Sequence, residues 1–209
     1  MRTLAILPVK AFSQAKQRLR HGLPDAIREA LVEAMLADVL GALRLTAVDR
    51  VLVVTAAEAP RRIAQAHGAR VLADEEAGHN PAVALGIGQA LSEGFDRALL
   101  VPGDCPALDP AEVDELLAHP ASTPSVLVVP DRHGTGTNAL LLTPPDSIPP
   151  SFGPGSCERH LALAQARGVA AEVVRLPSLA LDIDTPEDLE ALAGSSTRAQ
   201  RTHGILARC

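Results

Sequence analysis

At 209 residues the chain is long enough to bury one substantial core, and 47% hydrophobic with 21% charged residues is ordinary globular composition. It has no Trp or Tyr and only three Phe, so the core must come from Leu, Val, Ile and Ala, and the aromatic stacking platforms of single-strand binders are missing. A formal charge of −6 with dispersed basic residues argues against nucleic acid as a partner, while a local positive pocket for a small polyanion remains open.

Cys105, Cys157 and Cys209 form an odd, unclustered set without Cys-x-x-Cys spacing. That predicts a reducing, cytoplasmic setting with neither a disulfide framework nor a zinc site. The apolar run Met1–Pro8 is too short for a signal peptide, and no stretch is long enough to span a bilayer, so no membrane partner is expected.

Thr3 to Val9 reads as a first buried strand. Lys10, Lys16 and Arg18 follow it, a cluster that suits either a phosphate-gripping loop or a solvated basic loop. A helix from Asp25 to Leu43 is predicted by Ile27, Leu31, Met35, Val39 and Leu43 at four-residue spacing, with Val32, Leu36 and Leu40 widening the stripe; these are core positions. Val51–Thr55 is a second strand, and Glu58–His67 a helix ended by Gly68. Val71–Ala73 is a third strand, leading into the polar segment Asp74–Asn80 and a helix from Pro81 to Glu93.

The fourth strand, Ala98 to Val101, stops at Pro102-Gly103-Asp104 and delivers one carboxylate beyond its carboxyl end, where ligands bind in open α/β sheets. An isolated Asp there would more often cap its own turn. Asp109-Pro110-Ala111-Glu112 predicts a helix start, with Asp109 as N-cap, Pro110 first and Glu112 closing a capping box. Cys105 is read as a packing residue. Ser125–Pro130 makes a fifth strand, and the βαβαβαβαβ alternation to this point predicts parallel strands with right-handed crossovers and helices on both faces.

The regularity then breaks. Asp131–Asn138 is a polar Gly-rich loop, Ala139–Thr143 a strand of antiparallel type, and Pro144–Pro154 an irregular excursion with five prolines. A helix over Cys157–Arg167 follows, then strands near Glu172–Arg175 and Leu179–Leu181, and Thr185-Pro186-Glu187-Asp188 opens a last helix. The composition predicts one domain over 1–194 and a weakly ordered tail over Ser195–Cys209. The fold class is thus α/β and Rossmann-like, a mostly parallel sheet with helices on both faces and an irregular C-terminal part containing an antiparallel strand.

Four polar clusters fall on one predicted rim: Lys10/Lys16/Arg18, Asp74–Asn80, Asp104, and Asp182 with Asp184. Side chains alternate along a strand, so Asp182 and Asp184 share one side, and with Asp104 they could hold Mg²⁺, which prefers one or two carboxylates plus phosphate oxygens and water. Asp184 could also serve the following helix N-terminus. Gly134-Thr135-Gly136-Thr137-Asn138 and Phe152-Gly153-Pro154-Gly155-Ser156 suit a second pocket, for a small phosphorylated acid, with Ser156 at a helix N-cap whose free N–H groups attract anions. The bland reading of both is a pair of ordinary Gly/Pro turns. No nucleophile–base pair is apparent, which fits direct displacement at phosphorus.

With these residues laid out, the chain resembles the 2-phospholactate, phosphoenolpyruvate or 3-phosphoglycerate guanylyltransferases of coenzyme F-420 biosynthesis, and more widely the nucleotidyltransferases that include molybdenum-cofactor guanylyltransferase. The resemblance runs from about Leu4 to Leu192. It rests on Leu7-Pro8-Val9-Lys10 with Ala15–Leu19, Asn80 with Ala84–Gly88, Pro102–Pro106, Gly134–Leu140, Phe152–Ser156 with His160, and Asp182–Leu189. It implies transfer of GMP from GTP to a phosphorylated three-carbon acid, releasing pyrophosphate. By resemblance, Asp104 and one of Asp182 and Asp184, with Asp184 favoured, would bind Mg²⁺, while Thr137, Gly153 and Ser156 would hold the acid. Lys10, Lys16 and Arg18 would face the GTP phosphates, with Asp74 and Asn80 near the nucleotide. The rivals are a nucleotidyltransferase with another acceptor and a non-catalytic GTP-binding protein. Oligomeric state stays open, a homodimer included.

Overall fold

The structure is a computed structural model that describes every residue except Glu76, Ala121, Ser196, Thr197 and Cys209, with backbone alone at His21 and Ser195. Seven strands form one sheet: β1 (Thr3–Pro8), β2 (Arg50–Val54), β3 (Arg70–Leu72), β4 (Arg97–Leu100), β5 (Ser125–Pro130), β6 (Thr137–Thr143) and β7 (Ala170–Val173). Their spatial order is β3-β2-β1-β4-β6-β5-β7. The first four are mutually parallel, as the alternation predicts.

The fifth strand keeps the expected parallel direction but does not pair with β4. Instead β6 lies between them, antiparallel to both. The cause is local: the link from Pro130 to Thr137 is too short for a parallel crossover, and Asp131 N–H donates to Gly136 O at 3.2 Å, so the chain turns back as a hairpin. The exposed strand β7 then adds parallel to the outer side of β5.

Alternating side chains divide the apolar content between the two faces. Ala5, Leu7, Leu99, Val101, Leu127, Val129, Ala139 and Leu141 join one cluster with α1 (Asp25–Leu43) and α4 (Pro110–Ala118). Leu4, Ile6, Ala98, Leu100, Val126, Val128, Leu140 and Leu142 join the other, with α3 (His79–Ser92) and α5 (Ser156–Ala166). The remaining helices are α2 (Glu58–Ala66), α6 (Pro177–Ala180), α7 (Pro186–Ser195) and α8 (Gln200–Leu206). Among the described residues no helix is long and apolar enough to cross a membrane.

Two segments depart from expectation. The strand expected near Leu179–Leu181 is the short helix α6, opened by Pro177, whose fixed φ suits a first helical turn. The predicted tail contains α8, packed on α1 with Thr202 fully buried. Its N-terminus is capped across the fold: Asp38 of α1 accepts from Thr202 N–H at 2.9 Å and from its hydroxyl at 2.8 Å. Within that tail, Ser196, Thr197 and Cys209 lie outside the described residues.

Candidate active site

The carboxyl ends of β1 and β4, the segment before α7, and the N-terminus of α3 converge on one rim. Lys16 occupies its centre. Its ammonium binds Asp104 Oδ2 and Asp184 Oδ1 at once, the latter at 2.7 Å. Burial acts to lower its pKa, but the Asp104 carboxylate and then Asp184 outweigh that and hold the ammonium above its ordinary range.

The backbone joins the two carboxylates as well, because Ile183 N–H donates to Asp104 O at 3.1 Å. Ile183 is fully buried, so Asp182 and Asp184 on either side of it turn the other way, into the cleft. Asp182 and Asp184 thus share one side, as alternation predicts, although no strand forms there. Asp188 fixes this segment: its carboxylate accepts from the N–H groups of Asp184 at 2.9 Å and Thr185 at 2.7 Å, and pairs with Arg132 at 2.6 Å. With the Thr185 hydroxyl this completes the predicted capping box. The box expected at Asp109 closes differently. Asp109 accepts from Ala111 N–H at 3.0 Å, but Glu112 accepts from Ser178, whose hydroxyl receives Asp109 N–H at 2.9 Å.

The carboxylates suit a divalent cation. Asp104 Oδ1 is buried without a hydrogen-bond partner among the described residues, and Asp104 and Asp184 already share one cation, the Lys16 ammonium. Asp182 lies beside them; burial and then the Asp104 charge raise its pKa, opposed by the Asn138 amide at 3.2 Å. Among the described residues no group of three or more His, Cys, Asp or Glu is arranged to hold a metal unaided. Mg²⁺ does not need one, since phosphate oxygens and water fill the rest of its shell.

Lys16 reaches this position through a residue that sequence reading missed. Lys16 itself has φ +53°, the left-handed region that costs a side-chain-bearing residue about 1–2 kcal/mol. The preceding loop is pinned by Arg28 of α1, which is almost wholly buried. Its Nη1 donates to the carbonyls of Phe12 at 3.2 Å, Ser13 at 3.3 Å and Ala15 at 2.5 Å, while Nη2 pairs with Asp25 at 2.9 Å. A charged residue one step from the apolar stripe was the available signal.

Two cavities open on this rim. One, of about 180 Å³, is lined by Lys10, Gln14, Asp74 and His79. The other, of about 440 Å³, is lined by Thr137, Asn138, Gly153, Ser156, Asp182 and Asp184, with His79 again at its edge. His79 therefore stands at the seam between them, within the polar segment Asp74–Asn80 that was expected on this rim. Burial, and then the Lys10 charge, lower its pKa.

The remaining candidates fall as follows. Arg18 is exposed on the short 3₁₀ turn Gln17–His21. Asn80 is engaged with protein, its amide exchanging hydrogen bonds with the Phe152 backbone at 2.8 and 3.2 Å, so it ties α3 to the second cavity's lip. Ser156 is the first residue of α5, not its N-cap, which is Gly155. Two N–H groups expected to be free there are consumed: Ser156 donates to Gly153 O at 3.0 Å and Cys157 to Thr135 O at 3.1 Å. The glycines serve structure. A Cβ at Gly136 would lie 2.6 Å from Asp131 Oδ2, and Gly153 has φ +122°. Cys105 is fully buried, and burial followed by the nearby carboxylates pushes its thiol pKa far up, which keeps it protonated and unreactive.

The guanylyl transferase CofC-like family matches residues 3–202. The chain belongs to that family. Phosphoenolpyruvate guanylyltransferase of Conexibacter woesei is 51% identical over 99% of this chain and 96% of its own length. 3-Phospho-D-glycerate guanylyltransferase of Colwellia psychrerythraea is 40% identical over 92% of each chain. In fold, the CofC-like chain is similar to a protein of Desulfovibrio desulfuricans G20 assigned as a nucleotide-diphospho-sugar transferase. Their TM-score is 0.77 at 15% identity, covering 100% of this chain and 95% of that one.

Proposed function

We propose that the protein transfers GMP from GTP to the phosphate of a three-carbon phosphoacid, releasing pyrophosphate, and that this product serves assembly of coenzyme F-420. The observation that carries the reading is the pair Asp104 and Asp184 converging on one buried cation, on a rim that also bears two separate cavities. One cavity then takes the nucleotide and the other the acid, which brings the acceptor phosphate to the α-phosphorus without a covalent enzyme intermediate.

An acceptor phosphate oxygen attacks the α-phosphorus in line, the bond to the bridging oxygen of the β-phosphate breaks, and pyrophosphate leaves. Lys10, which lines the smaller cavity, and Lys16, between the two carboxylates, would supply positive charge to the triphosphate. Asp104 and Asp184, with Asp182 beside them, would hold Mg²⁺, which when bound neutralises phosphate charge and polarises the α-phosphoryl group. Thr137, Gly153 and Ser156 line the larger cavity and would hold the acid, while Asp74 lines the smaller one and suits the nucleotide.

The test is pyrophosphate release from GTP and Mg²⁺ with phosphoenolpyruvate, 3-phosphoglycerate and 2-phospholactate in turn. Phosphoenolpyruvate stands first because the relative at 51% identity is named for it. Turnover with at least one acid is expected; none with any of the three at high enzyme concentration overturns the proposal.

A further inference from the structure

Behind the larger cavity lies an imidazole whose tautomer is dictated by its neighbours. His160 of α5 is fully buried, and both ring nitrogens are engaged. Ser151 N–H approaches Nε2 at 3.1 Å, and Thr137 Oγ1 lies 3.0 Å from Nδ1. A backbone N–H can only donate, so Nε2 carries the lone pair and the proton of the neutral ring is on Nδ1. Nδ1–H therefore donates to Thr137 Oγ1. Phe152 packs edge-to-face on the ring at 5.0 Å and holds its plane. Burial, and then the Arg159 charge, lower the ring's pKa to about 4, so the imidazolium does not compete near neutral pH.

We infer that His160 is a positioning residue for the acceptor: its Nδ1–H takes one lone pair of the Thr137 hydroxyl and turns that hydroxyl's proton into the cavity, as a donor committed to an anionic oxygen of the ligand. The same ring, through Ser151 N–H, holds the lip that carries Phe152 and Gly153. Thr137 thus selects a phosphate or carboxylate oxygen and disfavours a ligand that presents a donor there. This rests on the larger cavity being the acceptor site.

Two His160 variants separate the two hydrogen bonds. His160→Gln offers an amide oxygen near the Nε2 position and keeps Ser151; His160→Asn offers an amide N–H near the Nδ1 position and keeps Thr137. His160→Gln should raise the acceptor KM about tenfold, the scale of one hydrogen bond to a charged group, with the GTP KM unchanged. His160→Asn should recover most of that loss. Thr137→Val should raise the acceptor KM similarly, and adding His160→Gln to it should raise it no further. Additive effects, or a GTP KM that rises in parallel, overturn the inference. If His160→Gln does not fold, His160→Asn must bind acceptor better than Thr137→Val; equal or weaker binding overturns it. The two levels separate cleanly: an unchanged acceptor KM in Thr137→Val refutes the acceptor-site reading, whereas a raised one beside an unaffected His160→Gln refutes the role of His160 alone.

Discussion

Under the proposed function, the two halves of the rim would handle anions by opposite means. On the parallel side, around β1 and β4, charge meets charge: Lys16 lies between Asp104 and Asp184, with Lys10 beside the smaller cavity. On the antiparallel side, around β6 and α5, the cavity has Asp182 and Asp184 at its edge, and the rest of its wall presents hydroxyls and backbone ordered by neutral groups. His160 orders Thr137 and Ser151, and Asn80 orders Phe152. The difference follows the ligands each side suits. A triphosphate with a divalent cation needs countercharge, which Lys10 and Lys16 would supply. A small acid that must be told from its analogues needs fixed donors, because an unpaired polar group in a desolvated site carries most of the discrimination.

The comparison breaks most visibly at Asp104. Asp104→Asn removes charge from the parallel side alone, and kcat for pyrophosphate release should fall by about 100- to 1,000-fold, the scale of losing one preorganised electrostatic group, with the acceptor KM little changed. An acceptor KM that rises with the fall in kcat would mean the two sides are not separable.

Arg28→Met tests whether the charged side depends on its buried support. It strips the partners from the Phe12, Ser13 and Ala15 carbonyls, so stability to urea should fall by about 3 kcal/mol. The GTP KM should rise as the Lys16 loop loosens, with the acceptor KM the less affected. A stability loss without a GTP effect would assign Arg28 to folding only.

How much of this was legible beforehand also divides between the two sides. On the parallel side, apolar runs such as Ala98–Val101 and the four-residue spacing from Ile27 to Leu43 report burial directly, and helix α1 falls on its expected bounds, Asp25–Leu43. Asp104 is ambiguous in its own turn, and what marks it is the shared rim with Lys10, Lys16, Arg18, Asp182 and Asp184. On the antiparallel side the decisive relations are non-local. That β6 slots between β4 and β5 depends on a hairpin whose partner strand cannot be named from the residues themselves. The Leu179–Leu181 run looked like a strand until Pro177 and the Glu112–Ser178 contact bent it into α6. His160 was noted only within a resemblance, since a lone His gives no sign of its partners. Arg28 and the cap that Asp38 provides to α8 were hidden for the same reason: each is a polar group whose partners lie outside its own helix.

A smaller effect should appear on acidification. His160 prefers the neutral form in the fold, with its pKa lowered from 6.5 to about 4 by burial and then by Arg159. Its contribution to stability is therefore complete above about pH 6.5 and is lost progressively as pH falls toward 4. The urea midpoint of the wild type should decline across that window, and that of His160→Asn should decline less. Parallel curves would place the acid sensitivity elsewhere.

The most direct test of the central claim, that the carboxylates bridged by Lys16 receive a divalent cation, is a Mn²⁺ titration followed by electron paramagnetic resonance with a non-hydrolysable GTP analogue present. Wild type should bind Mn²⁺, and Asp104→Asn and Asp184→Asn should each weaken binding by at least about tenfold, since even an outer partner of a metal ligand contributes that much. Both variants binding Mn²⁺ as tightly as wild type would contradict the account.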